Sequence, residues 1–494
     1  MIIKIKNFLS ENINLFILVL GVIIFSYPVF ITFFKYLPGH LGDGRLINYF
    51  LEHGYLFLHQ NKLHTSLFDM PFYFPNTNTL SYSDMMLGGM ILYIPIREII
   101  KDPQNALLVW FFITCILNYY SMYFLLKKVF KFNEIPSSIG ALIFAFSSPR
   151  QNQIIHLQYM TQFYMILCFI CFFSININKS KIYNNFCCLG GIIFFNLQIY
   201  SSFYLGWYML YGFLIGLFIF ILFRNLRIQL IDFIKAFYKE IILYSILLII
   251  LLTPLIKHYI AVGSQFIFDK NNIVSLFGFL SSNSFFDKKI YDFSYLFIGE
   301  NRENFQNIVG IGFFTTIIFL IGLLYKNSYK KYLIFFIMFS LLFFTDENLY
   351  KVLYTYFPGA TAIRCSPRII FLLLPVFSYI IANFFEKVRI NKYFLSFIIL
   401  IILCEMVYKE PFYYWTRSAH ISDLKEYNIP KNCKIIYYDF KVNEDYDIYL
   451  GDYNMGVMWK SIYTGTYTIN GYTGYEPILN YAAATRNCII NKQL

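Results

Sequence analysis

The chain has 494 residues, of which 58% are hydrophobic and only 14% charged, with a mean hydropathy of +0.54. That balance excludes a water-soluble domain, because apolar runs of about 18 or more residues recur and each can cross a ~30 Å hydrocarbon layer as a helix. The net charge of +12 does not call for a nucleic-acid partner. Most Lys and Arg sit in short loops between apolar runs, where the positive-inside bias collects them.

The N-terminal MIIKIKNFLSENIN is short and basic and precedes an apolar run at 13–34. Tyr27 and Pro28 interrupt that run and no small-residue cleavage pattern follows, so it reads as a retained first transmembrane helix, not a signal peptide. Lys4 and Lys6 place the N-terminus inside. Residues 35–105 then form a first outer loop. Within it, 45–58 is amphipathic through Leu46, Ile47, Phe50 and Leu51 and should lie along the membrane surface. The segment 85–100 is apolar only as far as Arg97 and Glu98. Reading it as a second surface or re-entrant helix brings the basic clusters at 127–131, 179–181, 224–239, 326–331 and 387–392 to the inner side.

The expected fold is therefore an all-α polytopic membrane protein with about eleven transmembrane helices. They fall near 13–34, 106–126, 135–148, 159–175, 183–202, 203–223, 241–262, 308–325, 332–345, 369–386 and 393–408. Residues 1–408 make the transmembrane domain. Residues 409–494 turn polar, and KIIYYDF and YTINGYTGYEP read as strands and turns, so they make a small α+β extracytoplasmic C-terminal domain. The nine cysteines are scattered. Cys168 and Cys171 lie inside an apolar run with no second ligand pair and read as packing residues. Cys433 and Cys488 can pair if the tail is exported.

Several side chains can carry chemistry. Asp43 stands between Gly42 and Gly44, with Arg45, Glu52 and His53 close behind, and Asp84 ends SYSD in the same outer loop. Two such carboxylates can converge as a general base and a cation ligand; the plainer reading is a pair of solvated loop carboxylates or N-caps. Arg150, Arg364 and Arg368 lie at outer helix ends, where a guanidinium fork suits phosphate oxygens; headgroup contact alone would also explain them. His156 lies in SSPRQNQIIHLQ beside Arg150. His40, His53, His59 and His64 cluster in the first loop, but their spacing matches no zinc motif. Asn196, Gln198, Tyr200 and Ser201 gather at the outer end of one span and suggest a polar cavity. There is no Walker motif, GxGxxG or GxSxG, so no nucleotide cofactor is expected.

Five segments in order, GHLGDGRLINYFLEH, PFYFPNTNTLSYSDMMLG, IFAFSSPRQNQIIHLQ, FPGATAIRCSPRI and MWKSIYTGTYTINGYTGYEP, resemble the bacterial GT-C-type membrane glycosyltransferases that decorate cell-surface polymers. The resemblance implies an acidic residue in the first outer loop, here Asp43, and a polyprenyl-phosphate-linked sugar as donor. The acceptor would be a surface glycan or lipid, and the site would face outward from the bacterial cytoplasmic membrane, with the C-terminus outside. In such an enzyme Asp43 would be the base or a metal ligand, assisted by Asp84. Arg45, Glu52, Arg150, His156, Arg364 and Arg368 would bind substrate, and Mg²⁺ or Mn²⁺ would suit the oxygen ligands. Two features depart from the family: no second carboxylate adjoins Asp43, and the C-terminal domain is short. A lipid-linked-sugar transporter or flippase, and a non-catalytic envelope-assembly protein, stay open as alternatives. The first predicts polar residues at mid-membrane depth and paired repeats; the second predicts that Asp43 is dispensable.

Overall fold

The computed structural model describes residues 12–263, 310–344, 347–363, 366–407, 414–426, 429–430, 433–441, 450–474, 477 and 488–493. The chain is mostly helical. Six of the described helices are long and apolar enough to cross a membrane: Pro103–Val129, Leu157–Ser174, Lys181–Ser201, Phe203–Leu222, Arg224–Gly263 and Ile370–Lys387. Ile13–Phe25, Phe313–Leu324 and Tyr393–Glu405 are shorter apolar helices.

That is fewer than the about eleven spans read from apolar run length. Run length overstates helix length wherever a turn falls inside the run. Run 135–148 folds as Glu134–Phe146, 13 residues that reach about 20 Å and are buried along most of their length among neighbouring helices. Run 332–345 is likewise the 13-residue helix Lys330–Leu342. The first run breaks at Ser26, whose hydroxyl turns back onto the Val22 carbonyl just before Pro28, so Tyr27–Ile31 is a separate short helix.

The first loop is also more buried than its pattern suggests. Asp43–Leu58 is a helix, but every residue from Gly44 to Gly54 is buried. Its polar positions find partners inside the protein. Glu52 accepts from the Nε and Nη2 of Arg97 at 2.9 and 3.0 Å and from the Tyr93 hydroxyl at 2.8 Å. His53 Nδ1 lies 2.7 Å from His64 Nδ1. The segment after it forms Leu87–Ile99, whose 13 residues are too few to span alone.

Several helices share one polarity. Lys181–Ser201 is 21 residues, about 32 Å long. At one end Lys181 pairs with Glu240 at 2.6 Å; just beyond the other, Phe203 N–H donates to Asp84. Phe203–Leu222 returns from Asp84 toward Arg224. Ile370–Lys387 begins next to Arg368 and ends at a lysine. Asp84 and Arg368 thus sit at one end of these helices, and the cationic loops at the other.

The C-terminal tail closes over the first end. Tyr414–Thr416 pairs antiparallel with Tyr36–Pro38. Ile435–Lys441 lies between Tyr467–Thr468 and Cys488–Gln493, parallel to both. Leu450–Thr464 sends Trp459 into the main core, where its indole N–H donates to the Arg45 carbonyl. Cys433 is disulfide-bonded; the side chain of Cys488 lies outside the described residues.

Candidate functional site

Asp43 opens its helix because the chain folds back tightly before it. Gly39 adopts φ +97°, and a Cβ on Gly44 would stand 2.9 Å from the Gly39 Cα, so only glycine fits both positions. Gly44 N–H donates to the His40 carbonyl at 2.9 Å and locks the turn. The carboxylate that emerges, 28% exposed, reaches two distant segments. Oδ2 is 3.1 Å from His156 Nδ1. Oδ1 accepts from the Tyr472 hydroxyl at 2.6 Å.

The far side of His156 meets Arg368, whose Nη2 is 2.8 Å from Nε2. Arginine can only donate. Nε2 must therefore be the bare nitrogen, and Nδ1 carries the proton that goes to Asp43. The guanidinium of Arg368 is held between two rings, 5.1 Å from the Tyr159 centroid and 4.9 Å from that of Tyr204. Its charge also acts on Asp84, which is buried, accepts from Phe203 N–H at 2.6 Å, and is further bonded by Gln158 and Ser202.

The two carboxyls are pushed in opposite directions. Burial raises Asp43, but the His156 hydrogen bond, the positive charge His156 carries when protonated, the Tyr472 hydroxyl and the His40 charge outweigh it and hold the group at about 2. Burial lifts Asp84 to about 6, against the pull of Phe203 N–H, Arg368, Gln158 and Ser202. One carboxylate is thus ionised at every physiological pH, while the other titrates close to it.

No protein-family model matches this chain, and no curated protein matches it at a significant level.

The remaining candidates are placed elsewhere. Arg150 is fully buried and donates to the Phe144 and Tyr159 carbonyls and to Gln162 Oε1, so it braces the turn that carries His156. Burial lowers its guanidinium to about 9. Arg45 pairs with Asp423 at 2.6 Å and ties the first-loop helix to the tail. Glu52 is engaged with Arg97 and Tyr93, away from Asp43. Arg364 lies outside the described residues, as does most of the long loop after Gly263. Among the described residues no group of three or more His, Cys, Asp or Glu is placed to hold a metal ion. What connects Asp43 to Asp84 is His156 and the cationic Arg368, a donor set that does not fit a shared Mg²⁺ or Mn²⁺.

Tyr159, Tyr204 and Tyr472 were not singled out from sequence. Tyr472 lies in the NGYTGYEP stretch noted for its resemblance, and packing explains its arrival at Asp43. Thr468 N–H donates to the Pro71 carbonyl, Phe74 N–H donates to the Thr468 carbonyl, and Gly471 lies flat on the Tyr73 ring, where a Cβ would come within 2.4 Å. Tyr204 gave no signal, since an aromatic residue in a span is unremarkable.

Proposed function

We propose that this chain is a glycosyltransferase that moves a sugar from a polyprenyl-phosphate donor to a glycan or lipid acceptor at the outer face of the bacterial cytoplasmic membrane. One observation carries the reading. Asp43, His156, Arg368 and Tyr472, up to 429 residues apart, form one connected chain at the end of the helices opposite the cationic loops. The positive-inside bias puts those loops in the cytoplasm and the site outside, with the N-terminus inside and the C-terminal tail outside.

The chemistry follows from the donors and acceptors. The planar Arg368 fork, stacked between Tyr159 and Tyr204, binds the donor phosphate and stabilises the charge that grows on it as the bond from C1 to the phosphate oxygen breaks. Once the phosphate engages Arg368, the bare Nε2 of His156 is open to the acceptor hydroxyl. The acceptor oxygen bonds to C1, its proton moves to Nε2, and polyprenyl phosphate leaves. Asp43, already ionised, stabilises the imidazolium through Nδ1–H. A carboxylate held at about 2 is a weak base near pH 7, so Asp43 is better suited to positioning His156 than to taking the proton itself. Tyr472 positions Asp43.

The test is the purified chain in proteoliposomes, supplied with synthetic polyprenyl-phosphate sugars and extracted surface glycans or lipids. Mass spectrometry should find released polyprenyl phosphate and an acceptor heavier by one sugar. Donor that crosses the bilayer without release would favour the transporter reading instead.

A further inference from the structure

Arg224–Gly263 is 40 residues long, about 60 Å, twice the thickness of a hydrocarbon layer. Its neighbours show which part crosses. Near one end, Tyr259 donates to the Ser83 carbonyl at 3.1 Å and packs on Phe203, at the level of Asp84. At the other level, Glu240 pairs with Lys181. The 19 steps from Glu240 to Tyr259 rise about 28 Å, which fills the hydrocarbon layer. Residues 224–239, about 24 Å of further helix, are left over at the cationic end. The backbone leaves helical geometry at Phe237, φ −124° and ψ 18°, next to that junction.

The leftover segment is two-faced. At ~100° per residue, Leu226, Leu230, Phe233, Ile234 and Tyr238 fall on one side, and Arg224, Gln229, Asp232, Lys235 and Lys239 on the other; Arg227 on the apolar side and Ile228 on the polar side are the exceptions. Its apolar side is packed along one flank only: Phe237 is buried and Leu226, Leu230 and Phe233 are half-buried, while Ile231, Ile234 and Tyr238 are 44%, 45% and 52% exposed. The segment carries four cations, Arg224, Arg227, Lys235 and Lys239, against the single carboxylate of Asp232.

We infer that residues 224–239 form an interfacial helix lying along the leaflet at the cationic end of the bundle, its apolar side among acyl chains and its cations on anionic phospholipid headgroups. The membrane is the occupant because the segment continues directly from a spanning helix at headgroup level. An apolar arc beside a row of cations is also the pattern that such a surface selects. The inference does not depend on the proposed chemistry, which lies at the other end of the helices.

The test uses the full chain reconstituted into vesicles of phosphatidylcholine alone or with about a third phosphatidylglycerol. Ile234 or Gln229 is replaced by a genetically encoded fluorescent amino acid. Lipids brominated near the headgroup should quench position 234 at least about three-fold more than position 229, and aqueous iodide should do the reverse. Phosphatidylglycerol should deepen the protection of position 234. Each cation adds about five-fold to partition toward an anionic surface, so Arg224→Gln, Lys235→Gln and Lys239→Gln together should abolish that gain while leaving the melting midpoint in detergent unchanged. Equal iodide access at both positions would mean that the segment projects into water. Protection of both positions from both quenchers would mean that protein covers it. Either overturns the inference, and indifference of the parent to phosphatidylglycerol overturns the assignment of its cations.

Discussion

Asp43→Asn separates the proposed relay from a merely structural contact. Asparagine keeps the size of the side chain, and its amide can turn its oxygen to His156 Nδ1–H and its NH₂ to the Tyr472 hydroxyl oxygen, so both contacts can be kept. What the variant removes is the charge: a neutral amide does not stabilise the imidazolium that forms as Nε2 takes the acceptor proton. Sugar transfer should fall by ~10²–10⁴-fold, about 3–5 kcal/mol of barrier. Stability should change far less, by about 1 kcal/mol, because the side chain is partly exposed and both hydrogen bonds can be kept. That deficit has a pH signature. Asp43 is held at about 2 against an ordinary 3.8, so its stabilisation is present above pH 3.8 and is lost as pH falls through about 2. Parent and variant should therefore melt apart at neutral pH and converge toward pH 2. The assay is polyprenyl phosphate release in proteoliposomes, with His156→Ala alongside. Rates within about three-fold of the parent for both variants, with normal folding, would refute the relay.

Arg368→Ala should raise the donor KM and lower kcat, whereas Arg368→Lys should recover part of the binding but not the planar contact with Tyr159 and Tyr204; unchanged kinetics in the alanine variant would remove it from the phosphate site. Glu52→Gln should lower stability by about 3–5 kcal/mol, because it strands the buried Arg97, yet leave turnover per folded molecule intact; normal melting with lost turnover would return Glu52 to substrate binding. Asp84 is raised to about 6, so ionising it costs the native state, and stability present below pH 3.8 is lost as pH rises through about 6. Asp84→Asn should flatten that limb of a melting-against-pH curve, and a curve superimposable on the parent's would refute the assignment. For topology, a maleimide that cannot cross the membrane should label a cysteine introduced at the exposed Tyr463 but not one at Lys179; the opposite pattern would invert the orientation.

The sequence by itself determined the class of the protein and the approximate ends of most of its long helices, though not the start of Arg224–Gly263, read from run length as 241. Runs 183–202 and 203–223 reappear as Lys181–Ser201 and Phe203–Leu222, because whether a helix is stable in hydrocarbon depends on residues adjacent in the chain. The sequence also marked Asp43, His156 and Arg368, because polar residues flanking apolar runs are conspicuous. Only the tertiary structure decided which partners those residues meet. Arg150 and Arg368 look alike in sequence, yet one donates to backbone carbonyls and the other is stacked between two tyrosines facing His156. Glu52 is as acidic as Asp43, but a salt bridge to Arg97 engages it. Tyr472 becomes part of the site because strand pairing and the contact of Gly471 with Tyr73 carry the tail across the first loop. The physical reason is range. Hydropathy sums over neighbours along the chain, whereas a hydrogen bond is won or lost within a few tenths of an ångström between residues hundreds of positions apart.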